Sequence, residues 1–156
     1  MYKGLLDLHS VLRWVILLLL LIAIIRHFSA LRSKRLVNAT DRKIDLFLMV
    51  SAHITLLIGI YQWIVGGFGL KSIQNNGIKT VMENASLRFW AVEHTTGMLL
   101  AIIFITIGRG AIKRGSNTSA HNKAAWLFLL ALIFILACVP WPFRVGIGRP
   151  LFPGMH

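Results

Sequence analysis

Cys138 is the single cysteine in 156 residues. That excludes an intramolecular disulfide, a thiol redox pair and a cysteine-rich metal site. No C-x-x-C-H signature of covalent cofactor attachment is present. Carboxylates are scarce too, with five Asp and Glu against 17 Lys and Arg. Proline is missing before position 140, and Pro140, Pro142, Pro150 and Pro153 all fall near the C-terminus. No G-x-S-x-G nucleophile motif occurs. No His-x-x-x-His pair offers the clustered ligands that zinc or copper prefers. There is no convincing internal repeat, and nothing resembles the paired broken helices of a transporter.

Apolar sequence fills the space that these absences leave. Hydrophobic residues make up 56% of the chain, and the mean hydropathy is +0.72. Much of this lies in four long blocks, each near the roughly 20 residues that an α-helix needs to cross a bilayer. The expected fold is therefore all-α, a transmembrane four-helix bundle of up-down topology in a single domain over residues 1–156. Its spans are Leu5–Phe28, Ile44–Val65, Arg88–Gly110 and Ala120–Val139, followed by a Pro-rich tail over 140–156 that runs extended along the surface. The first span keeps Asp7, His9 and Arg13 within its apolar run and has no clean cleavage site, so it reads as retained.

The formal charge of +12 suggests nucleic acid, but its distribution excludes that reading. Basic residues gather at the ends of apolar runs. Arg26, Arg32, Lys34, Arg35, Arg42 and Lys43 mark the first connection, and Arg109, Lys113, Arg114 and Lys123 the third. This is the positive-inside pattern, with added attraction for anionic lipid headgroups. It puts both termini on the periplasmic or outer side of a cytoplasmic membrane. Trp14, Trp63, Trp90 and Trp141 near the outer ends, with Trp126 near the inner end, match an aromatic belt. Thr40 or Asp41 is the expected N-cap of the second span, and Asn84 or Ser86 that of the third. Gly66, Gly67, Gly69 and Asn75-Asn76-Gly77 keep most of the second connection irregular, with a short turn over Ile78–Met82. Asn-x-Ser/Thr triplets at Asn38, Asn84 and Asn117 read as compositional accidents.

Ionisable residues inside spans are costly and mark functional sites by default. At 1.5 Å per residue, His9 and His94 each lie roughly 6–9 Å below the outer boundary. In an up-down bundle the first and third spans are diagonal across the core. Two imidazoles at matching depth on diagonal helices can bind the two faces of a six-coordinate haem iron. Arg13, four residues after His9, and Arg88, at the outer end of the third span, suit its propionates. Gly97, three residues after His94, leaves a gap for a flat macrocycle. Glu93 or Asp7 is available to the far nitrogen of an imidazole. Thr95 and Thr96 are available to backbone carbonyls.

On the other diagonal, His53 lies mid-span and His121 at the inner boundary. A second haem between them needs a later start for the second span or an earlier start for the fourth. His53 is alternatively available to the outer site, and His27 is a third inner candidate. The metal candidates are thus His9, His94, His53 and His121.

The segments LHSVLRW, AHITLLIGIYQW, RFWAVEHTTGMLLAIIFITIGR and the closing VPWPF together resemble the small four-span cytochrome b-like membrane proteins of the Bacteroidetes type. The similarity covers nearly the whole chain, with His9, His53, His94 and His121 in matching order and context. It implies a b-type haem protein of the cytoplasmic membrane. The expected cofactor is haem b, one or two groups. The expected partners are membrane lipid, a quinone, and a redox protein or larger membrane complex. The expected role is electron carrier or oxidoreductase subunit rather than stand-alone enzyme. The alternatives are a non-redox scaffold or assembly subunit, with histidines as polar glue between helices, and a small proton- or metal-handling protein.

Overall fold

The computed structural model describes residues 1–153 and is an all-α bundle. Helices α1 (Tyr2–Arg32), α2 (Ala39–Val65) and α6 (Thr118–Cys138) are each long and apolar enough to cross a membrane, as is the continuous rod Ala85–Arg114. That rod consists of a short α4 (Ala85–Arg88), a π-helical turn (Phe89–Glu93) and α5 (His94–Arg114). The chain is thus a multi-pass membrane bundle. Around its perimeter α1 packs on α2, α2 on α5, α5 on α6 and α6 on α1. The diagonals are α1 with α5 and α2 with α6.

Side-chain distribution fits lipid solvent. Leu18, Ile25, Leu57 and Val145 are among the large apolar residues left facing outward. The interior is built from Leu20, Leu48, Ile105 and Phe128 together with Ala52, Ala101, Ala124 and Ala131, all fully buried. Small residues let the helix backbones approach, which is how helices associate where lipid is as apolar as leucine. Gly108 on α5 lies flat against the Phe128 ring, so a side chain there would collide with it.

Asparagine caps start three of the helices before the expected spans. Asn38 caps α2: its Oδ1 accepts from Asp41 N–H, and the Asp41 carboxylate accepts from Asn38 N–H, each at 3.0 Å. This reciprocal capping box starts the helix five residues before the expected Ile44, and its cap is neither Thr40 nor Asp41. Asn117 accepts from Ala120 N–H at 3.2 Å to start α6. Asn84 accepts from Ser86 and Leu87 N–H, both at 3.0 Å. All three Asn-x-Ser/Thr triplets are therefore helix starts. The second connection is also more ordered than expected: α3 (Leu70–Glu83) occupies most of it, broken only at Gly77, where φ is 76°. That left-handed conformation suits glycine.

The tail is not an extended strip. It turns back over the end of the bundle that carries the N-terminus, called here the terminal end. Leu151 O accepts from the Arg13 guanidinium at 2.6 Å and from Trp14 Nε1–H at 2.9 Å, and Phe152 stacks on Trp14. Arg144 donates to Ala137 O at 3.0 Å, satisfying a carbonyl left open at the end of α6. Its guanidinium also lies over the Phe89 ring, and that of Arg149 over Trp90. His156 lies outside the described residues. The opposite end, where residues 33–38 and 115–117 connect the helices, is called the basic end.

Candidate functional site

His9 reaches the terminal half of the core from α1 and His94 from α5, across the diagonal. Their ring centroids are 6.4 Å apart and the planes are inclined by 57°. The His94 side begins with an irregularity in the backbone. The π turn over Phe89–Glu93 inserts an extra residue into the helix and rotates the turns after it, a device that recurs at functional sites. Ala91 O accepts from Trp63 Nε1–H of α2 at 2.9 Å, which ties the turn to its neighbour. His94 then directs Nδ1–H to Cys138 O at 2.8 Å. That carbonyl lies at the last turn of α6, where helical partners have run out. The bond sets the tautomer and leaves Nε2 with its lone pair. His9 keeps a buried Nδ1 without a hydrogen-bond partner. Gly59 of α2 faces its ring, and a Cβ there would come within 3.3 Å of His9 Cε1.

The other residues expected around this pair are placed differently. Gly97 faces Cys138, whose thiol fills the space that a side chain would need, so it leaves no opening for a flat ring. The glycine that borders the pair is Gly59. Arg88 is already paired with Glu93, Nε to Oε1 at 2.7 Å, and donates to Met82 O at 2.7 Å. The Cys138 carbonyl takes the His94 contact expected of Glu93 or Asp7. Arg13 lies on the same helix as His9, is held by Leu151 O, and retains a buried, unpartnered Nε.

His53 and His121 are not brought together. His53 on α2 lies 3.4 Å from Thr106 Oγ1 of α5. With Leu56, Leu99, Ile102, Ile103 and Ile107 the two line a cavity of about 280 Å³. His121 is at the basic end, fully buried, with Nδ1 at 2.8 Å from His27 Nδ1. The reason is depth and adjacency: His121 sits in the first turn of α6, and its neighbour on that level is α1, not the middle of α2. His27 then meets both carboxylate oxygens of Asp45 at 3.2 Å through Nε2. Asp41, also fully buried, binds Arg26 at 2.8 Å and Arg35 at 2.7 Å. It approaches His121 Nε2 to 3.9 Å. The Asp41 carboxylate raises the pKa of Arg35, in the connection, still further. From the sequence Asp41 is a candidate N-cap, and Asp45 suits the helix dipole or a proton path with His53 and Glu93; a buried acid within eight residues of an arginine-rich connection is the signal that marks them.

Metal capacity differs between the two pairs. An imidazole centroid lies about 1.1 Å from its nitrogens, so two rings on opposite sides of one ion, with bonds of about 2.0 Å, have centroids about 6 Å apart. The His9–His94 separation meets this. The His27–His121 nitrogens are at hydrogen-bond distance and leave no room for an ion between them. Comparison of the chain with protein-family models, with curated proteins and with solved structures finds no match.

Proposed function

We propose that this chain is a b-type cytochrome, an integral membrane electron-transfer protein that holds one haem b between His9 and His94. The observation that carries the reading is the cross-diagonal pair, 6.4 Å between centroids, with His94 oriented by the Cys138 carbonyl and His9 retaining an unpartnered nitrogen. The resemblance to four-span cytochrome b-like membrane proteins points the same way. The group supplies reversible one-electron chemistry when bound. The residues supply the rest. His9 and His94 present neutral nitrogens, and the Cys138 carbonyl keeps the second imidazole from rotating. Arg13 holds a positive charge beside the pair, suited to a propionate, and the folded tail limits water at that end.

The proposed donor and acceptor are a membrane quinol and a partner redox protein or complex. The open pocket beside His53 and Thr106 offers a quinol headgroup apolar walls and a hydrogen-bonding pair. It lies six residues, roughly 9 Å, along α2 from Gly59 beside His9. The excess of Lys and Arg at the basic end puts that end in the cytoplasm and the termini outside the cytoplasmic membrane.

The test is a dithionite-reduced minus oxidised spectrum of protein expressed with ample haem. Haem bands at about one group per chain are expected, and His94→Ala abolishes them while His121→Asn keeps them. A parent protein without bands, or a full spectrum in His94→Ala, overturns the reading.

A further inference from the structure

The basic end holds a cluster of buried ionisable groups that electron transfer at the other end does not use. His27, His121, Asp41 and Asp45 are all fully buried. Contacts of 2.8 Å join His121 Nδ1 to His27 Nδ1, and of 3.2 Å join His27 Nε2 to Asp45. His121 Nε2 is buried without a partner, 3.9 Å from Asp41. Every packed element contributes charge here. From α1 come Arg26 and His27, from the connection Arg35, from α2 Asp41 and Asp45, and from α6 His121. Arg109 of α5 adds a guanidinium whose Nε and NH1 atoms are buried and unpartnered.

Two nitrogens at hydrogen-bond distance share one proton between them, and the charge state of Asp45 decides which ring donates it. With Asp45 ionised, His27 donates Nε2–H to it, and its Nδ1 is the acceptor. His121 Nδ1–H is then the donor, and His121 Nε2 bears a lone pair turned toward the Asp41 side. In a lipid-embedded bundle, buried His and Asp groups in series are the arrangement used for proton relays. We propose that Asp41, His121, His27 and Asp45 form a proton-loading chain, with His121 Nε2 as its entry and the Asp45 carboxylate as its terminal acceptor.

The transfer balances. His121 Nε2 is fully buried, so loading requires the connection beside it to open; a hydronium ion then gives one proton to that nitrogen and leaves as water. The Nδ1 proton of His121 passes to His27 Nδ1, and the Nε2 proton of His27 passes to Asp45. Each imidazole gains one proton, loses one, and ends in the opposite tautomer. Asp45 ends neutral, its O–H donating to His27 Nε2. No oxidant or reductant is involved. Asp41 stays ionised between Arg26 and Arg35, whose side chains are 31% and 34% exposed, and attracts the incoming proton to the entry. The chain is independent of the haem reading and stands if that reading falls.

The experiment uses the full chain, ¹⁵N-labelled at histidine, in lipid nanodiscs. Spectra are to show a scalar coupling between two Nδ1 nitrogens across one hydrogen bond, lost in both His27→Gln and His121→Asn. Acidification is to switch both rings to the opposite tautomers, with a carboxylic C=O stretch appearing in infrared difference spectra. In Asp45→Asn the amide oxygen still accepts from His27 but takes no proton. The coupling persists there, while the switch and the new C=O band are lost. Absence of coupling in the folded parent overturns the chain. So does an Asp45→Asn protein that switches as the parent does.

Discussion

The two ends of this bundle each bring two histidines together, and the pairs differ in the way that helix geometry requires. His27 and His121 come from helices in direct contact. Packed helix axes lie about 8–10 Å apart, and across a square diagonal the distance grows by about 1.4-fold. Adjacent helices therefore let imidazoles bond to each other, as the 2.8 Å contact shows. Diagonal helices hold them apart, as the 6.4 Å separation of His9 and His94 shows. The surroundings differ accordingly. The terminal-end pair is bordered by aromatic rings and backbone carbonyls, with Phe89 and Trp90 near His94. The basic-end pair is bordered by the Phe128 ring, 5.5 Å from that of His27, and by carboxylates, which the terminal-end pair with its single Arg13 guanidinium lacks. One arrangement suits a bridging cofactor and the other suits protons.

The largest way to break the comparison is at Asp45. Asp45→Ala leaves His27 Nε2–H buried without its carboxylate. Removing one partner from a buried charged set costs about 3–5 kcal/mol. Thermal unfolding in nanodiscs should show a large fall in midpoint, whereas the spectrum at the terminal end is retained in the protein that remains folded. A midpoint equal to the parent's would mean that Asp45 is solvated and the basic end is not a closed site.

A smaller effect separates the ends from the opposite direction. Phe152→Ala removes the ring stacked on Trp14, whose centroid is 5.4 Å away. An aromatic pair of this kind contributes about 0.5–1.5 kcal/mol. Hydrogen exchange should rise in α1 around Trp14 and in the tail, with the His27–His121 coupling unchanged. Equal loosening at both ends would show that the tail stabilises the whole bundle rather than covering one site.

The contrast between the ends is only partly legible in the sequence. The four long helices can be deduced from apolar length, and the His9–His94 diagonal from matching depth in an up-down bundle. Neither source fixes the rotation of each helix about its own axis. His27 and His121 can be placed at one level from their positions, but that they face each other depends on how α1 and α6 are turned. The π turn before His94 adds a rotation for which RFWAVEH offers no composition signal. Backbone partners are illegible for a simpler reason. Cys138 O and Leu151 O act through carbonyls that every residue has, so residue type cannot point to them. For Gly97 and Arg88, position along the helix is legible, whereas the neighbours they meet are not.

The caps are legible as helix starts only once their side-chain bonds are known, and they give the finest test of the difference. Asn38 and Asn84 start helices at opposite ends of the bundle, and replacing an asparagine N-cap by alanine costs about 1 kcal/mol. The two costs should be similar in unfolding midpoint and different in consequence. Asn38 also anchors the turn that carries Asp41, so Asn38→Ala leaves the Asp41 N–H without its acceptor and loosens the backbone beside the carboxylate nearest to His121 Nε2, although the bond from the residue-38 N–H to that carboxylate is kept. Exchange should rise at the start of α2, and the tautomer switch at the basic end should shift in pH. Asn84→Ala acts on α4 and the π turn that leads to His94, and should loosen that turn without moving the switch. If both variants moved the switch equally, the two ends would be one cooperative unit, and the different spacing of their histidines would not by itself separate their chemistry.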